Sequence, residues 1–269
     1  MSRSKSTWIG LIIGVGCIAI SIMASGDIRT FLNLPSFCIT IGGTVGAVVL
    51  SFPVDRLKTL RPVMKKAFIN EKFDVEKDID TIVSLAEITR KEGFLALEDT
   101  VDEITDDKFL KEGIMLIIDG ADKDQLMESL QTEIYFMKQR HKKGWEMLDM
   151  IGSEVTSLGL VGTYVGLIPM LINLEDPTKL GPLMAIELVT SFYGAFLAYV
   201  IFLPMSKRLK VMNANEVTRK ELFIEGLMAI EESQNPKVIR ERLTFYMMSK
   251  GGKDLRSQQE DKFKIKEVA

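Results

Sequence analysis

The sequence predicts an all-α polytopic membrane protein with four transmembrane helices and a helical cytoplasmic domain. Four apolar stretches are each long enough to cross a bilayer, whose hydrocarbon layer takes about 20 residues of helix. They are Trp8 to Ala24, Phe31 to Val54, Val155 to Leu174 and Gly181 to Pro204. The first three contain no Asp, Glu, Lys or Arg, although charged residues make up 26% of the chain. Such segregation of charge is typical of a polytopic membrane protein.

Three of the four stretches also have a simpler interpretation. Arg3 and Lys5 precede the first stretch and small residues close it, a pattern that also fits a signal peptide. A second apolar stretch follows within a few residues, which favours a helical hairpin instead. For the third and fourth stretches, the alternative is a pair of buried helices in a soluble core.

Basic residues predict the orientation, because they accumulate on the cytoplasmic side of membrane helices. They precede the first and third stretches and follow the second and fourth, whereas the short connections SGDIRT and EDPTK carry only one each. Both termini are therefore expected in the cytoplasm, with two short outer turns and two large cytoplasmic parts. The expected organisation is transmembrane helices 1 and 2 in residues 1–54, a cytoplasmic helical domain in 55–150, transmembrane helices 3 and 4 in 151–205, and cytoplasmic C-terminal helices with a disordered tail in 206–269.

The longer cytoplasmic part is strongly acidic. From Glu71 to Glu133 the sequence has 19 Asp or Glu against 7 Lys or Arg, with apolar residues at helical spacing. These are Ile79, Ile82, Val83, Ala86, Phe109, Ile114, Leu116 and Ile117. They predict a small bundle of short helices, and the acidic exterior argues against a nucleic-acid partner. After Met205 a helix is expected to leave the membrane, followed by two short helices broken at Asn235-Pro236.

The sequence offers no chemistry typical of an enzyme. It contains no set of nucleophile, base and orienting group, no phosphate-binding loop and no dinucleotide fingerprint. Cys17 and Cys38 lie in predicted membrane helices, and the one histidine, His141, lies in a basic run near the bilayer. We therefore expect no catalytic residues, no metal site and no cofactor. A solute transporter or a passive scaffold is the other class of function, although the two helix pairs show no internal repeat of the transporter kind.

Hydroxyl-bearing and small residues share one face on each of the last two membrane helices. On the third helix, Thr156, Gly159 and Thr163 fall at offsets of three and seven residues. Thr163 lies ~12 Å deep from one side and Ser191, on the fourth helix, ~15 Å deep from the other, at 1.5 Å per residue. If these helices are antiparallel neighbours, the two hydroxyls can line one polar path. The alternative is that each hydroxyl bonds to the carbonyl one turn back in its own helix.

The fourth stretch is apolar apart from one carboxylate, Glu187. An ionised side chain in hydrocarbon is costly, so such residues usually face a protein interior or a water-filled path. Glu187 lies one helical turn outward of Ser191 on the same face, which predicts a place at the outer mouth of the polar path. The alternative is a residue near the headgroups that pairs with a neighbouring subunit or with water. Glycines at four-residue spacing, such as Gly162 and Gly166, also predict close helix packing and oligomers.

Four blocks of the sequence carry a specific resemblance. They are LPSFCITIGGTVGAVVLSFP, RKEGFLALED, GLVGTYVGLIPMLINLEDPTKLGPLMAIELVTSFYGAFLAYVIFLPMSKRL and IEGLMAIEESQNPKVIRERL, in this order over nearly the whole chain. Together they resemble the flagellar stator A subunit, the MotA/PomA family of the MotA/TolQ/ExbB proton channel superfamily. The more distant ExbB and TolQ energisers of other envelope machines share the last two helices, but neither the four-helix plan nor the RKEGFLALED block.

The resemblance implies an ion-driven torque generator of bacterial motility in the inner membrane. It implies that five A subunits, in contact with membrane lipid, surround a dimer of a single-span, peptidoglycan-binding B subunit of the MotB or PomB kind. Flow of H+ or Na+ at the A/B interface would rotate the A ring against the rotor protein FliG. No cofactor is implied, and the sequence leaves the identity of the transported ion open.

The family's motifs place three groups of site residues on this sequence. They are Arg90, Lys91 and Glu98 for the rotor-facing charges, Thr163 and Ser191 for the ion-path hydroxyls, and Pro204, Gly159 and Gly162 for structural and coupling positions. Two positions depart from the family pattern. Thr156 stands where the family usually has proline, which bends a helix and frees backbone carbonyls, as threonine does not. Glu187 stands where the family more often has a small apolar residue.

Overall fold

A computed structural model describes residues 2–3, 5–70 and 73–249 of the 269-residue chain. The polar tail from Gly251, which the sequence predicts to be disordered, lies outside these ranges. The chain divides into two compact units. Unit 1 comprises Met1–Glu71 and Arg140–Met212, and unit 2 comprises Lys72–Gln139 and Asn213–Ala269.

Four helical segments are long and apolar enough to cross a membrane. Two are Thr7–Ala24 and Leu34–Ser51, and the other two are apolar windows within Lys123–Ile172 and within Pro177–Glu231. The predicted all-α architecture with four membrane-spanning helices is therefore confirmed.

The first two spans are built from four helical segments joined by one short turn of 3-10 helix. These are α1 (Lys5–Ser25), the 3-10 turn Ile28–Phe31, α2 (Leu34–Phe37), a π-helical segment Cys38–Gly42 and α3 (Gly43–Ser51). The second span begins three residues later than its apolar stretch, because the Asn33 side chain caps the helix by accepting from the Ser36 backbone N–H at 3.1 Å. It ends at Ser51, since Phe52 precedes Pro53 and is extended.

A short helix and a strand pair follow the second span. Helix α4 (Val54–Ala67) packs its apolar side against the third and fourth spans, and Ala67 is fully buried there. Strands β1 (Ser2–Arg3) and β2 (Ile69–Asn70) then form an antiparallel pair of two residues each, which the sequence did not predict. The rest of the described chain is helical or in connections.

Unit 2 starts with α5 (Val75–Glu92), α6 (Ala96–Ile104) and α7 (Lys108–Ile118). The longer helices come next in the sequence. They are α8 (Lys123–Ile172), α9 (Pro177–Phe196), a π-helical segment Leu197–Phe202, α10 (Leu203–Glu231) and α11 (Pro236–Ser249). The predicted break at Asn235-Pro236 is confirmed, with Ser233 in the left-handed region at φ 54°. The expectation of a separate short helix before it is wrong: that segment is the end of α10, because no proline or glycine cluster interrupts it.

The core of unit 2 is apolar, and it contains the residues that recur at helical spacing in the sequence. Seven of the eight residues listed by that spacing are buried, and the eighth, Leu116, is partly buried against them. They pack on residues of α8, α10 and α11, such as Leu126, Leu227 and Leu243, which are fully or almost fully buried. The predicted bundle of short helices therefore has a single apolar centre.

A partly buried arginine ties three elements of unit 2 together. Arg219 in α10 donates two hydrogen bonds to the Asp78 carboxylate, at 2.6 and 2.7 Å, and one to Asp107 at 2.7 Å. Its guanidinium also lies 5.1 Å from the ring centre of Phe73 and 4.8 Å from that of Phe223. Burial opposes the charge, yet the two carboxylates raise the pKa of Arg219 above its ordinary value. Arg219 is therefore a charged residue whose burial depends on its partners.

Candidate functional site

Helices α8 and α9 of unit 1 are antiparallel and approach each other at their glycines. A methyl group added at Gly159 would lie 3.1 Å from the Gly194 Cα, and one added at Gly194 would lie 2.8 Å from the Val155 carbonyl oxygen. Farther along, a methyl group at Gly166 would lie 2.8 Å from the Leu183 carbonyl oxygen. These separations place backbone against backbone, which is how small residues bring membrane helices together.

The middle of this contact joins Gly162 to Thr190. A methyl group at Gly162 would lie only 1.9 Å from the Thr190 Cγ2, so no larger residue fits there without movement. Thr190 is fully buried, and its hydroxyl donates to the Ile186 carbonyl one turn back. The neighbouring Ser191 is predicted from the sequence, whereas Thr190 is not. The signal that could have found it is its position three residues after Glu187 and four before Gly194, on the same helical face.

The predicted hydroxyls lie beside this contact rather than in it. Thr163 and Ser191 each follow a contact residue, Gly162 and Thr190, and both are half-buried. In two antiparallel right-handed helices, the residue after each contact position points to the same side of the contact plane. Thr163 and Ser191 therefore lie on one side of the α8 and α9 pair, at the same depth.

The local bonding that the sequence left as an alternative is present at Thr163, and Thr156 shows it as well. Thr163 donates to the Leu160 carbonyl at 2.6 Å, and Thr156 donates to the Gly152 carbonyl at 2.9 Å. A hydroxyl has one donor but two acceptor lone pairs, so these bonds leave the oxygen able to accept from water or to bind a cation. Local bonding and a role in a polar path are therefore compatible for these two threonines.

Glu187 lies at the end of the same contact that is nearer the connection between α8 and α9. A methyl group at Gly166 would lie 2.9 Å from the Glu187 backbone N and 3.0 Å from its Cβ. The side chain is half-buried, and within the described ranges its carboxylate has no hydrogen bond or ion pair. The residue is thus fixed by its backbone, while its charged end is not tied to a partner in the same chain.

The second span and the 3-10 turn before it hold α9 on both sides of Glu187. The Ser36 hydroxyl, fully buried in α2, donates to the Ile186 carbonyl at 3.2 Å, and the Tyr193 hydroxyl donates to the Phe31 carbonyl. Neither residue is predicted from the sequence, because a bond between distant segments leaves no periodic signal there. Together the two bonds fix the depth of the Glu187 face relative to the second span.

Pro204 lies at the other end of the fourth span. It is exposed and is the second residue of α10, directly after the π-helical segment Leu197–Phe202. Proline has no backbone N–H and so leaves a carbonyl of the preceding turn without its helical donor. Irregular segments of this kind are frequent at functional positions of helices.

The predicted rotor-facing charges lie together at a turn of unit 2. Arg90 and Lys91 are exposed in the last turn of α5, and Glu98 is exposed in α6. Gly93, with φ 88°, reverses the chain between the two helices, a conformation that favours glycine. Leu95 lies in this turn with 72% of its surface exposed, and the sequence analysis missed it. The surface therefore combines charges of both signs with one apolar side chain.

Among the described residues, no group of three or more His, Cys, Asp or Glu side chains is arranged to hold an ion. The oxygen-bearing groups of the α8 and α9 contact are hydroxyls, backbone carbonyls and the Glu187 carboxylate. Such oxygens suit transient contact with water, protons or a monovalent cation.

Two family models match this chain. The model of the MotA/TolQ/ExbB proton channel family matches residues 102–222, and that of the Motility protein A N-terminal region matches residues 8–93. Similar curated proteins include the Uncharacterized protein YtxD of Bacillus subtilis, 38% identical over 89% of each chain. The Chemotaxis protein PomA of Vibrio alginolyticus is 34% identical over 90% of this chain and 94% of its own. The Motility protein A of Cereibacter sphaeroides is 36% identical over 87% of this chain and 92% of its own.

Two solved structures share the fold. A chain of the flagellar MotAB stator complex from Bacillus subtilis superposes with a TM-score of 0.84 and 30% identity, covering 92% of this chain and 97% of its own. A chain of the C. jejuni MotAB structure superposes with a TM-score of 0.81 and 26% identity, covering 90% and 94%. With its four apolar helices, the protein is a multi-pass protein of the inner membrane. The chain therefore belongs to the MotA/TolQ/ExbB proton channel family, in which it is a flagellar stator A subunit and not an enzyme.

Proposed function

We propose that this chain assembles around a single-span, peptidoglycan-binding B subunit, as five copies around a B dimer, and that ions crossing between A and B drive torque on the rotor. The observation that carries the proposal is the placing of Thr163 and Ser191 on one side of the α8 and α9 contact, at one depth. A B-subunit helix on that side would meet both hydroxyls. Glycine contacts keep the two helices close enough for one partner helix to reach both.

The transported ion is H+ or Na+ in this proposal, and the hydroxyl oxygens of Thr163 and Ser191 accept hydrogen bonds from water or contact the ion. Thr156, one residue after the contact residue Val155, lies on the same side, nearer the inner end by the predicted orientation. Thr156 thereby adds an oxygen where the family has proline. Glu187 stands at the outer mouth, and both termini lie in the cytoplasm.

The ion path is tested by removing hydroxyls in cells that carry the complete A and B pair. Thr163→Ala and Ser191→Ala should each lower swimming speed, and the double variant should lower it further, with normal assembly. Ser157→Ala is the matched control, because Ser157 is exposed on the same helix and bonds only to Ser153, at 3.0 Å. Equal loss in the control and in the Thr163 variant would overturn the path. Speed measured against sodium at fixed proton-motive force identifies the ion.

The rotor contact is proposed at Arg90, Lys91 and Glu98, with FliG as the partner. Exposed charges steer and orient a partner more than they stabilise a fold. Arg90→Glu should therefore impair motility while membrane insertion and assembly stay normal, and a compensating charge reversal in the rotor protein should restore torque. A misassembled Arg90→Glu protein would assign the charge to the fold instead. Lys77→Glu, on an exposed part of α5 away from the turn, is the control.

The ExbB-like alternative is less well supported than the flagellar one. The Motility protein A N-terminal model covers residues 8–93, which include the first two spans and the RKEGFLALED block up to Gly93. These are the parts that the more distant energisers lack by the resemblance. Loss of motility without loss of envelope integrity, on deletion of the chain, is the outcome expected here.

A further inference from the structure

Helix α4 follows the second membrane span almost without a connection. The span ends at Ser51, and α4 begins at Val54. One side of α4 is occupied by the same chain, where Ala67 packs in a cluster with Leu148, Met205 and Leu209. Leu60, Val63 and Met64 line the edge of that cluster, and Gly144 of α8 lies against Val63. The apolar side of this amphipathic helix is therefore already covered.

The opposite side of α4 is basic and exposed. Lys58, Arg61 and Lys65 follow one another at intervals of three and four residues, which places them in one row along the helix. We call these three residues the basic stripe. Val54 continues the row toward the membrane span and has 66% of its surface exposed, and Leu50 in the last turn of the span has 90% exposed. The row thus changes from apolar to basic where the span ends.

The basic stripe is not explained by the stability of the helix. Cations at a helix C-terminus interact favourably with the last carbonyls, but Lys58 and Arg61 lie before the last turn. The C-terminal carbonyls already have a donor, since Arg208 donates to the Ala67 carbonyl at 2.6 Å and to the Ile69 carbonyl at 3.3 Å. Lys58 has one ion pair, with Asp55 at 3.0 Å, and both side chains of that pair are well exposed. An ion pair this exposed is weak, so Lys58 can still interact with another anionic group.

We propose that the basic stripe of α4 binds the phosphate headgroups of anionic phospholipids in the bordering leaflet. Clusters of Lys and Arg directly after a membrane span are attracted to anionic lipid, with about a fivefold gain in binding for each basic residue near the surface. Arg56 and Lys66 add two more basic residues to the same helix, against the single acid Asp55. The bilayer is the anionic surface nearest to this helix, because the span ends only three residues earlier. The inference does not depend on the proposed ion path or rotor contact.

The test uses the full chain with its B subunit in phosphatidylcholine nanodiscs that contain a trace of spin-labelled lipid. Electron paramagnetic resonance of the motionally restricted lipid gives the association of labelled phosphatidylglycerol relative to labelled phosphatidylcholine. The wild type should prefer phosphatidylglycerol several-fold, and added salt should lower this preference by screening. The triple variant Lys58→Gln, Arg61→Gln, Lys65→Gln should lose most of it. Lys58→Arg with Lys65→Arg should keep it.

The matched control is a triple variant with the same loss of charge in unit 2. Lys77, Lys108 and Lys237 are all exposed there, and their change to Gln should leave the lipid preference intact. The proposal fails if the wild type shows no preference, if the stripe variant keeps the wild-type preference, or if the control loses as much. Should the stripe variant not assemble, Arg61→Gln alone must still give a measurable fall.

Discussion

Glycine lies at close helix contacts in both units, but among the described glycines only some of those in unit 1 meet the backbone of a neighbouring helix. In unit 1, a methyl group added at Gly194 would meet the backbone of α8, at 2.8 Å from the Val155 oxygen and 3.0 Å from the Gly159 Cα. In unit 2, a methyl group added at Gly113 would meet a side chain, at 2.3 Å from the Leu227 Cδ1. A side-chain methyl group can turn away, whereas a backbone can yield only if the whole helix moves.

The difference follows from the two solvents. In lipid, burial of apolar side chains gives no driving force, so helices associate through close packing, which small residues allow, and through interhelical hydrogen bonds. In water, burial of large apolar side chains is the main favourable contribution, and unit 2 accordingly buries residues such as Phe109, Phe223 and Leu227. Unit 2 also accommodates the charge of Arg219, because the carboxylates of Asp78 and Asp107 form ion pairs with it. Unit 1 is therefore expected to be most sensitive to added atoms, and unit 2 to removed ones.

The largest effect is expected when a partner is removed from Arg219. Asp78→Ala deletes two of its three hydrogen bonds and leaves a partly buried charge with Asp107 as its remaining partner, at a cost of up to about 3–5 kcal/mol in the free energy of unfolding. Asp80→Ala on the same helix is the control. Asp80 pairs with Arg240 at 2.6 Å, but about half of each side chain is exposed, so we expect a loss of about 1 kcal/mol or less. Denaturant unfolding of the full chain in detergent measures both.

A double variant separates the effect of the Arg219 charge from the effect of its packing. Asp78→Ala combined with Arg219→Met removes the charge together with its partner, and should recover part of the stability lost in Asp78→Ala. Equal losses in the single and the double variant would show that packing of the guanidinium between Phe73 and Phe223, rather than its charge, decides the stability.

The next largest effect concerns the glycines themselves. Gly194→Ala should push α8 and α9 apart and cost about 1–3 kcal/mol, with loss of assembled complex on size-exclusion chromatography. Gly113→Ala should be close to neutral, because the shift of Leu227 is offset by about 1 kcal/mol of helix propensity gained over glycine. A larger loss at Gly113 than at Gly194 would contradict the distinction between backbone and side-chain contacts.

The sequence predicts the regular features of both units and misses the contacts between distant segments. Charge segregation predicts four spans, and helical spacing predicts the apolar core of unit 2, because each is a periodic property of one segment. Ser36 and Tyr193 could not be predicted, since their partners Ile186 and Phe31 lie 150 and 162 residues away. Thr190 could not be predicted because the sequence of one helix does not show which of its faces will contact the neighbouring helix.

A smaller effect, dependent on pH, is expected in unit 2. Burial raises the pKa of the Glu133 carboxyl above its ordinary value, the charge of Lys220 opposes the rise, and a hydrogen bond with Glu112 adds to it. The folded state therefore binds this proton more tightly than the unfolded state. The contribution to stability is complete below the ordinary carboxyl pKa and is lost as pH rises through the raised value.

Replacement of the carboxyl should therefore change the pH profile. Glu133→Gln should unfold at a higher denaturant concentration than the wild type at neutral pH, and the difference should shrink on acidification. Glu128→Gln, on an exposed position of the same helix, should change neither the denaturant concentration of unfolding nor its dependence on pH. A wild type that gains stability from pH 5 to pH 7 relative to Glu133→Gln would reverse the assignment.

The smallest effect on stability is expected at Glu187, where only the backbone and the Cβ take part in a close helix contact. Its backbone is held against Gly166, in the manner of unit 1, but its carboxylate has no partner in the described part of the chain. Glu187→Gln keeps the size and the backbone contact and removes only the charge. We therefore expect normal assembly and unchanged thermal stability of the complex.

The functional effect of the same change should be large by comparison. A carboxylate at a channel mouth raises the local concentration of cations, and salt weakens this effect over a Debye length of ~8 Å at physiological ionic strength. Glu187→Gln should thus need a larger ion gradient for the same swimming speed, and the deficit should shrink at high salt. Glu175→Gln, in the exposed turn before α9, is the control for a charge near the membrane surface. Pairing of Glu187 with a neighbouring subunit predicts a smaller detergent-extracted complex instead, and unchanged speed at every gradient would exclude the mouth position.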